Sequence, residues 1–293
     1  SQNTTAEYIK NALTPNTKAV ILVHVGGTPC DMNPIMKLAE KNEIHVIEDC
    51  AQAHGATYNQ KQVGSFGVIS TFSFCQDKII STGGEGGMVL MDDDKLWKKA
   101  WSYKDHGKNF DVVKESSHTG SFRYLHEFKG TNWRLTEVQS AIGRIQLRRL
   151  EGWVTERQGN AAYLRKRLSI CPGLIFNEPD VRIQSSFYRF YVLIDQSRLN
   201  PGWTRDRIIS EVNKQGFNLG CGSCGEIYLE RSLRKYSPCT RFVNARLAQD
   251  SSLAFLVHPG LSHNNLNGIS DAVIAVMKNA VTPSNRICSA RAA

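Results

Sequence analysis

The first half of the chain alternates short apolar runs with segments whose apolar residues recur at helical spacing. KAVILVHV, at 18–25, is a continuous β-branched run typical of a strand buried on both faces, and IHVIED, at 44–49, is a second such run. Between them, the apolar residues of 31–43 recur on one side of a predicted helix that Asp31 can cap. This order predicts a βαβ crossover and therefore a mostly parallel sheet.

Two further apolar runs extend this pattern. The stretches 68–74 and 87–91 are predicted strands. The segment 92–103 is predicted to be a helix, because it opens with three aspartates that suit the positive end of a helix dipole. The first half of the chain is therefore expected to be an α/β unit.

A long helical region follows. In 131–150 the apolar residues recur at helical spacing, and Thr136 with Gln139 has the pattern of a capping box. Helical character continues through 156–168, and the CPG sequence at 171–173 interrupts it.

The pattern changes after this break. A strand is predicted at 185–195, and helices are predicted at 205–216 and around 266–280. We therefore predict two domains: residues 1–170 form a large domain with an inter-domain helix, and residues 171–293 form a small α+β domain.

The amino-acid composition restricts the class of protein and its partners only weakly. The chain has 293 residues with 41% hydrophobic and 22% charged residues, which is ordinary for a folded protein. No apolar run approaches the roughly 18–20 residues that cross a bilayer, so we expect a cytoplasmic protein that does not contact the membrane. The net charge of +9 suits either a small phosphorylated ligand or simply a soluble basic surface. Since no nucleic-acid-binding motif is present, we expect no nucleic-acid partner.

The eight cysteines are scattered along the chain, unlike the dense spacing of disulfide-stapled domains. Cys221 and Cys224 form one C-x-x-C pair, but no second pair or closely following histidines complete a zinc site. We expect reduced thiols and no metal.

Candidate chemistry lies where the predicted strands end, since ligands of parallel α/β sheets gather at the carboxyl ends of strands. Asp49 ends one strand, and Ser73 ends another, five residues before Lys78. The glycine-rich 81–87 segment then lets backbone approach a ligand closely. Each feature alone has an ordinary structural explanation: a helix cap, a surface lysine or a turn.

Together these residues suit pyridoxal phosphate. A lysine in apolar surroundings offers an amine that can attack a carbonyl, and a buried carboxylate needs a cation or a hydrogen-bond donor as its partner. Pyridoxal phosphate offers both an aldehyde and a protonated pyridine nitrogen. Ser73 could donate to its phosphate.

The residues 46–89, VIEDCAQAHGATYNQKQVGSFGVISTFSFCQDKIISTGGEGGMV, closely resemble the signature of the DegT/DnrJ/EryC1/StrS family of PLP-dependent sugar aminotransferases. The resemblance continues through GTNWRLTEVQSAIGRIQLRRL, at 130–150, and the later FLVHP, at 255–259. It implies an α/β fold of the PLP-dependent transferase type I, with a mostly parallel large domain and a small α+β C-terminal domain.

The same resemblance implies roles for individual residues. Lys78 is the lysine that binds the cofactor covalently, Asp49 pairs with the pyridine nitrogen, Gln52 lies against the ring or its O3′ side, and Ser73 binds the phosphate. Members of the family are homodimers with shared active sites. Three more residues then have implied roles: Asn132 reaches the partner's phosphate, Arg134 lies near the substrate, and His54 either contacts substrate or is a structural hydrogen-bond donor.

We therefore expect transfer of an amino group from glutamate to a keto group of a nucleotide-linked deoxysugar, in sugar biosynthesis for a polysaccharide or natural product. One alternative is a non-catalytic remnant or regulatory subunit. Another is a sugar dehydratase or an amino-cyclitol aminotransferase; Lys78 argues against a dehydratase, since relatives of that kind carry histidine there. Family members also have an N-terminal region that holds phosphate and stacks an aromatic ring on the cofactor. Nothing in 1–20 corresponds to it, so we expect an N-terminally truncated chain that is inactive alone.

Overall fold

A computed structural model describes residues 2–115, 125–177, 180–222 and 225–282. The chain divides into two compact units. The first unit consists of Asn3–Glu151 together with Arg182–Ser185, and the second contains the described residues of Gly152–Val181 and Ser186–Ala293.

The first unit is built on a four-stranded sheet in the order β1-β2-β5-β6. The first three strands run parallel and β6 is antiparallel to β5, so the predicted mostly parallel sheet is confirmed. A small antiparallel sheet in the order β4-β3-β8 lies in the same unit. The strands are β1 (Ala19–Val23), β2 (His45–Asp49), β3 (Thr57–Tyr58), β4 (Lys61–Gln62), β5 (Ile69–Ser73), β6 (Gly87–Leu90) and β8 (Ile183–Gln184), with β7 in the second unit.

Two helices of the first unit begin after residues whose side chains accept a free N–H group of the first turn. Thr5 caps α1 through the N–H of Tyr8, and Asp93 caps α3 through the N–H of Leu96 at 2.7 Å. The helices are α1 (Ala6–Ala12), α2 (Met32–Lys41), α3 (Asp94–Lys104), α4 (Phe110–Glu115) and α5 (Glu137–Leu168), the last of which continues into the second unit.

Asp31 does not cap α2 through its side chain, so that prediction is wrong. Its carboxylate instead accepts hydrogen bonds from the hydroxyl of Tyr58 and the guanidinium of Arg182. Two strong donors from elsewhere in the unit thus replace the local backbone donor of a cap.

The expectation that β1 is buried on both faces is also wrong. Leu22 is fully buried, whereas Ile21 and Val23 are 65% and 41% exposed. The reason is that α1 and α2 pack through Ile9 and Ile35 against the face that carries Leu22. Within the described residues, the opposite face of β1 stays largely open.

The capping box of Thr136 and Gln139 is confirmed. The Thr136 hydroxyl accepts the N–H of Gln139 at 3.3 Å, and the Gln139 amide oxygen accepts the N–H of Thr136 at 3.2 Å. The helix therefore begins after Thr136, and the two predicted helical segments are one continuous helix.

The second unit packs the last turns of α5 and three other helices around an antiparallel sheet in the order β10-β11-β9-β7. Its core includes Leu164, Phe190, Ile208 and Phe255. The remaining elements are β7 (Leu174–Ile175), β9 (Phe190–Ile194), α6 (Arg205–Asn213), β10 (Leu219–Cys221), α7 (Val243–Ser251), β11 (Ser252–Phe255) and α8 (His263–Ala280).

Candidate active site

The carboxyl ends of β1, β2 and β5 lie side by side. Val23, Asp49 and Thr71 are in register across the three strands, so their side chains share one face of the sheet. Ser73 lies two residues beyond Thr71 on that same face. The fold therefore places Asp49 and Ser73 at one edge and on one face, as a shared ligand site requires.

Glu48 and Asp49 are adjacent in sequence but point to opposite faces of β2. Asp49 is partly exposed, and its Oδ1 accepts the N–H of Ala51 at 3.0 Å. Glu48 is completely buried. Its two oxygens accept three backbone N–H groups, from Gly64, Phe66 and Gly67, each at 2.7 Å.

Burial by itself would raise the pKa of the Glu48 carboxyl. The hydrogen bonds from His24 and from the three backbone N–H groups outweigh it and bring the pKa below its usual value. Glu48 is thus an ionised structural carboxylate that fixes the loop after β4, while Asp49 remains available to a ligand.

His24, which the sequence pattern did not single out, is the side-chain partner of Glu48. Its Nε2 lies 3.1 Å from Oε2 of Glu48, and its Nδ1 accepts the N–H of Cys30 at 3.1 Å. Because Nδ1 is the acceptor, the hydrogen is on Nε2 and points to Glu48. The predicted strand 18–25 contained His24, whereas β1 ends at Val23, so the strand-end position that could have identified His24 became visible only in the fold.

Gln52 is held by the turn that follows β1. The N–H of Gly26 donates to Gln52 Oε1 at 2.7 Å, so the amide oxygen is the atom turned toward the turn. The NH₂ group of Gln52 is then left as a donor for a ligand oxygen.

Ser73 and Lys78 lie on a short loop with its own hydrogen bonds. The Ser73 hydroxyl accepts the N–H of Cys75 at 3.3 Å, which leaves its own hydrogen available to an anion. The Lys78 N–H donates to the Cys75 carbonyl at 3.0 Å, which tightens the turn. The Lys78 side chain is 16% exposed, and its Nζ lies 3.6 Å from Oδ1 of Asp77.

The glycine-rich segment folds back on this loop. The N–H of Phe74 donates to the Gly86 carbonyl at 2.8 Å, and the N–H of Thr82 donates to the Phe74 carbonyl at 3.2 Å. A Cβ on Gly86 would lie only 2.4 Å from the Thr82 hydroxyl oxygen, so a larger residue at this position would push Gly86 and Thr82 apart. The glycine at this position thus allows the close approach that fixes the lysine loop.

His54 lies between two phenylalanines of the β5 region. Its ring centroid is 5.3 Å from that of Phe72 and 6.0 Å from that of Phe74, and only 2% of the residue is exposed. His54 therefore lies within the packed interior of the unit, and its role, as a substrate contact or as a structural hydrogen-bond donor, stays a prediction.

Asn132 and Arg134 lie in a separate polar cluster around Asp105. Arg134 Nε donates to Asn132 Oδ1 at 3.1 Å and lies 3.7 Å from Oδ1 of Asp105. Lys108 Nζ lies 3.3 Å from the same carboxylate oxygen. Asp105 is buried and positions both cations, a role that the sequence did not indicate.

Among the residues that the structure describes, one buried group has the composition of a metal site. The candidate ligand atoms of His24, Glu48 and Cys50 lie within 4.8 Å of one another. Both nitrogens of His24 and both oxygens of Glu48 are already engaged in hydrogen bonds. Burial also raises the pKa of the Cys50 thiol, so the thiolate that a metal needs is disfavoured. The group is therefore better explained as a structural network.

The donors and acceptors at the strand ends fit pyridoxal phosphate. Asp49 suits a protonated ring nitrogen, the NH₂ of Gln52 suits a phenolic oxygen, and the Ser73 hydroxyl suits a phosphate. Lys78 supplies the amine on the adjoining loop. The residues present are thus chemically matched to this cofactor.

Comparison with known proteins agrees with this fit. Residues 1–274 match the model of the DegT/DnrJ/EryC1/StrS aminotransferase family. The spore coat polysaccharide biosynthesis protein SpsC of Bacillus subtilis is 31% identical over 278 residues, which are 93% of this chain and 70% of SpsC. GDP-perosamine synthase of Escherichia coli O157:H7 is 38% identical over 161 residues, which are 55% of this chain and 41% of the synthase.

A crystal structure gives the same fold. The X-ray structure of an aminotransferase from Psychrobacter cryohalolentis is 43% identical, with a TM-score of 0.89. The match covers 95% of this chain and 73% of that chain.

Proposed function

The chain belongs to the DegT/DnrJ/EryC1/StrS aminotransferase family, and on that premise we propose that it transfers an amino group from glutamate to a keto group of a nucleotide-linked deoxysugar. The cofactor is pyridoxal phosphate. The observation that carries the proposal is the placement of Asp49 and Ser73 on one face at the ends of neighbouring parallel strands, beside the loop that presents Lys78.

Bound pyridoxal phosphate supplies an aldehyde carbon that accepts amines and a protonated ring that withdraws electrons. Asp49 would hold the proton on the ring nitrogen, since a carboxylate stabilises the cationic form. Gln52 would donate its NH₂ to the ring oxygen, and Ser73 would donate to the phosphate.

Lys78 would bind the cofactor and then move protons. Its Nζ, once free, can take a proton from the donor's α-carbon and return it at another carbon, which is general acid–base catalysis. The loop hydrogen bonds between Phe74, Thr82 and Gly86 would keep this amine in one position. Asp77, at 3.6 Å, would neutralise the ammonium form.

The substrate class follows from chemistry and from the relatives. Nucleotide sugars carry a diphosphate, and the +9 charge of the chain favours anions. One relative is named as the synthase of a GDP-linked sugar and another as a polysaccharide biosynthesis protein. Arg134, exposed and oriented by Asn132 and Asp105, is the proposed cation nearest the substrate.

We propose that the enzyme acts as a homodimer with shared active sites. Asn132 is exposed, and it is the residue proposed to reach the partner's cofactor phosphate. Large apolar side chains near it in sequence are also more than half exposed, and burying them against a second copy would be favourable. They are Phe128, Trp133, Val138, Ile145 and Leu147.

A cytoplasmic location completes the proposal. The cysteines described as free are Cys30, Cys50, Cys75, Cys171, Cys221 and Cys239, as a reducing compartment would leave them. Within the described ranges, none of the helices is both long and apolar enough to cross a membrane. Cys224 of the C-x-x-C pair lies outside the described residues.

Incubation of the full-length protein with ¹⁵N-labelled glutamate and a panel of nucleotide-linked keto-sugars tests the function. Mass spectrometry should show a labelled amino-sugar nucleotide for at least one acceptor, and none with Lys78→Ala. A deoxygenated sugar without nitrogen would indicate a dehydratase instead. A protein that binds pyridoxal phosphate but turns over none of the panel would support the non-catalytic alternative.

A further inference from the structure

A short segment that is distant in sequence packs into the first unit beside the candidate site. We call Arg182–Ser185 the strap. It belongs to the first unit, although the rest of that unit ends at Glu151. The strap contains β8, which pairs with β3 in antiparallel register, Thr57 opposite Gln184 and Tyr58 opposite Ile183.

The first end of the strap is anchored by a charged cluster. Arg182 makes a bidentate pair with Asp31, with Nη1 3.0 Å from Oδ1 and Nη2 3.2 Å from Oδ2. The hydroxyl of the buried Tyr58 donates to Asp31 Oδ1 at 2.6 Å and accepts from Arg182 Nη1 at 3.0 Å. The N–H of Asn59 also donates to the Arg182 carbonyl at 2.7 Å.

The other end of the strap reaches the turn that follows β1. The Ser185 hydroxyl donates to the Gly27 carbonyl at 2.9 Å. Ser185 Oγ also lies 3.1 Å from the hydroxyl oxygen of Thr28. Because Ser185 has only one hydroxyl hydrogen, Thr28 is the donor in this second contact.

This turn needs such support, because two consecutive glycines in it have left-handed backbone angles. Gly26 has φ 67° and Gly27 has φ 87°. Glycine adopts these angles at little steric cost but has many other conformations available, so contacts from outside must select one. Ser185 supplies one such contact, and Asn3 supplies another by accepting the N–H of Val25 at 2.9 Å.

The 24–28 turn also fixes the side-chain amide of Gln52. The N–H of Gly26, adjacent to the residue that Ser185 holds, donates to Gln52 Oε1 at 2.7 Å. Two hydrogen bonds, joined by the covalent backbone of Gly26 and Gly27, therefore link Ser185 to the amide of Gln52.

We propose that the strap is a positioning device for the cofactor: Ser185 sets the 24–28 turn, and the turn orients the Gln52 amide so that its NH₂ faces the ring oxygen. This inference rests on the proposed function, because it takes Gln52 to be a cofactor ligand. Ser185 and Arg182 are positioning residues and do not touch the reacting atoms.

The test is a titration of the full-length apo-protein with pyridoxal phosphate, followed by the absorbance of the bound cofactor. Ser185→Ala should raise the Kd by about three- to tenfold, the usual size of one lost hydrogen bond. Thr28→Val removes the other hydroxyl without changing the size of the side chain much and should raise the Kd in the same direction. Ser185→Thr, which restores the hydroxyl, should recover most of the affinity.

A double-mutant comparison separates positioning from general stability. If Ser185 acts through Gln52, Ser185→Ala should change the Kd by less than about twofold in a Gln52→Ala background. Ser70→Ala is the matched control: it is a buried serine of the same unit whose hydroxyl has no hydrogen-bond partner in the described structure, and its Kd should equal that of wild type.

The outcomes are distinguishable. Two results would overturn the strap's role and leave the proposed function standing. One is an unchanged Kd in both Ser185→Ala and Thr28→Val. The other is an effect of Ser185→Ala on the Kd that is equally large in the Gln52→Ala background. Failure of the wild-type protein to bind pyridoxal phosphate would overturn both.

Discussion

Asp49 and Thr71 lie opposite each other in register on neighbouring parallel strands, with the Asp49 carboxylate on the face that also carries Ser73. Glu48, one residue earlier, faces the other way and is completely buried. The two adjacent carboxylates therefore have separate tasks: one is free to bind a ligand, and the other holds the fold beneath it.

Lys78 should be the lysine that carries the cofactor. Borohydride reduction of the full-length protein, followed by peptide mapping, should place the cofactor on Lys78. Lys78→Ala should abolish both the visible absorbance and the labelled peptide, whereas Lys98→Ala, an exposed lysine paired with Asp111, should keep both. Label on a different lysine in wild type would show that the assignment is wrong.

Asp49→Asn should keep the fold and most of the bound cofactor but lower kcat by about a hundredfold or more, the size expected when a preorganised charge is removed. An amide cannot stabilise the protonated ring as a carboxylate does. The control variant is Asp92→Asn, which changes an exposed aspartate just after β6 in the same way. Near-normal turnover in Asp49→Asn would mean that another group protonates the ring.

Glu48→Gln should destabilise the protein by about 3 kcal/mol, because a buried network loses its charged acceptor and one NH₂ group then faces backbone donors. The free energy of unfolding from urea titration measures this, with the exposed Glu40→Gln as control. A loss of less than about 0.5 kcal/mol would contradict the structural role.

The pH dependence of Glu48 has a definite sign. Its pKa is lowered in the folded state, so its contribution is complete above the unfolded value of about 4.3 and is lost as the pH falls through the folded pKa. The difference between wild type and Glu48→Gln should therefore be constant near neutrality and shrink below about pH 4.3.

In the second unit, the stability that Glu226 contributes should depend on pH in the same direction as that of Glu48. Its side chain accepts hydrogen bonds from Arg241, with Nε 2.8 Å from Oε1, and from the Tyr228 hydroxyl at 2.6 Å. The Arg241 hydrogen bond is the main reason that its pKa falls to about 2, despite the opposing effect of burial. This stabilisation is present above about pH 4.3 and is lost as the pH falls toward about 2.

Thermal unfolding of Glu226→Gln should accordingly show a lower midpoint than wild type at pH 7 and a smaller difference at pH 3. The exposed Glu156→Gln is the matched control and should follow wild type at both values. A difference that does not depend on pH would show that the carboxylate charge is not what stabilises this part of the unit.

Local sequence signals determined much of the fold. Apolar, β-branched runs located β1, β2, β5 and β6, whether or not the folded strand is buried. The Thr136–Gln139 pair located the start of α5, because a helix start must satisfy free N–H groups. The family signature around Lys78 gave the cofactor and the class of reaction. The domain boundary at 170 and the roles of the individual site residues stay predictions.

The tertiary structure decided what depends on partners distant in sequence. Periodicity alone did not show that Asp31 would pair with Arg182 instead of capping α2, because that donor lies 151 residues away. Nor did it show which of two adjacent carboxylates would be buried against His24, because the direction of a strand side chain depends on which face the helices cover. The contact of Ser185 with the Gly26–Gly27 turn also joins residues that are distant in sequence. The Ser185 hydroxyl selects one conformation of a flexible turn, and only the folded chain brings the two together.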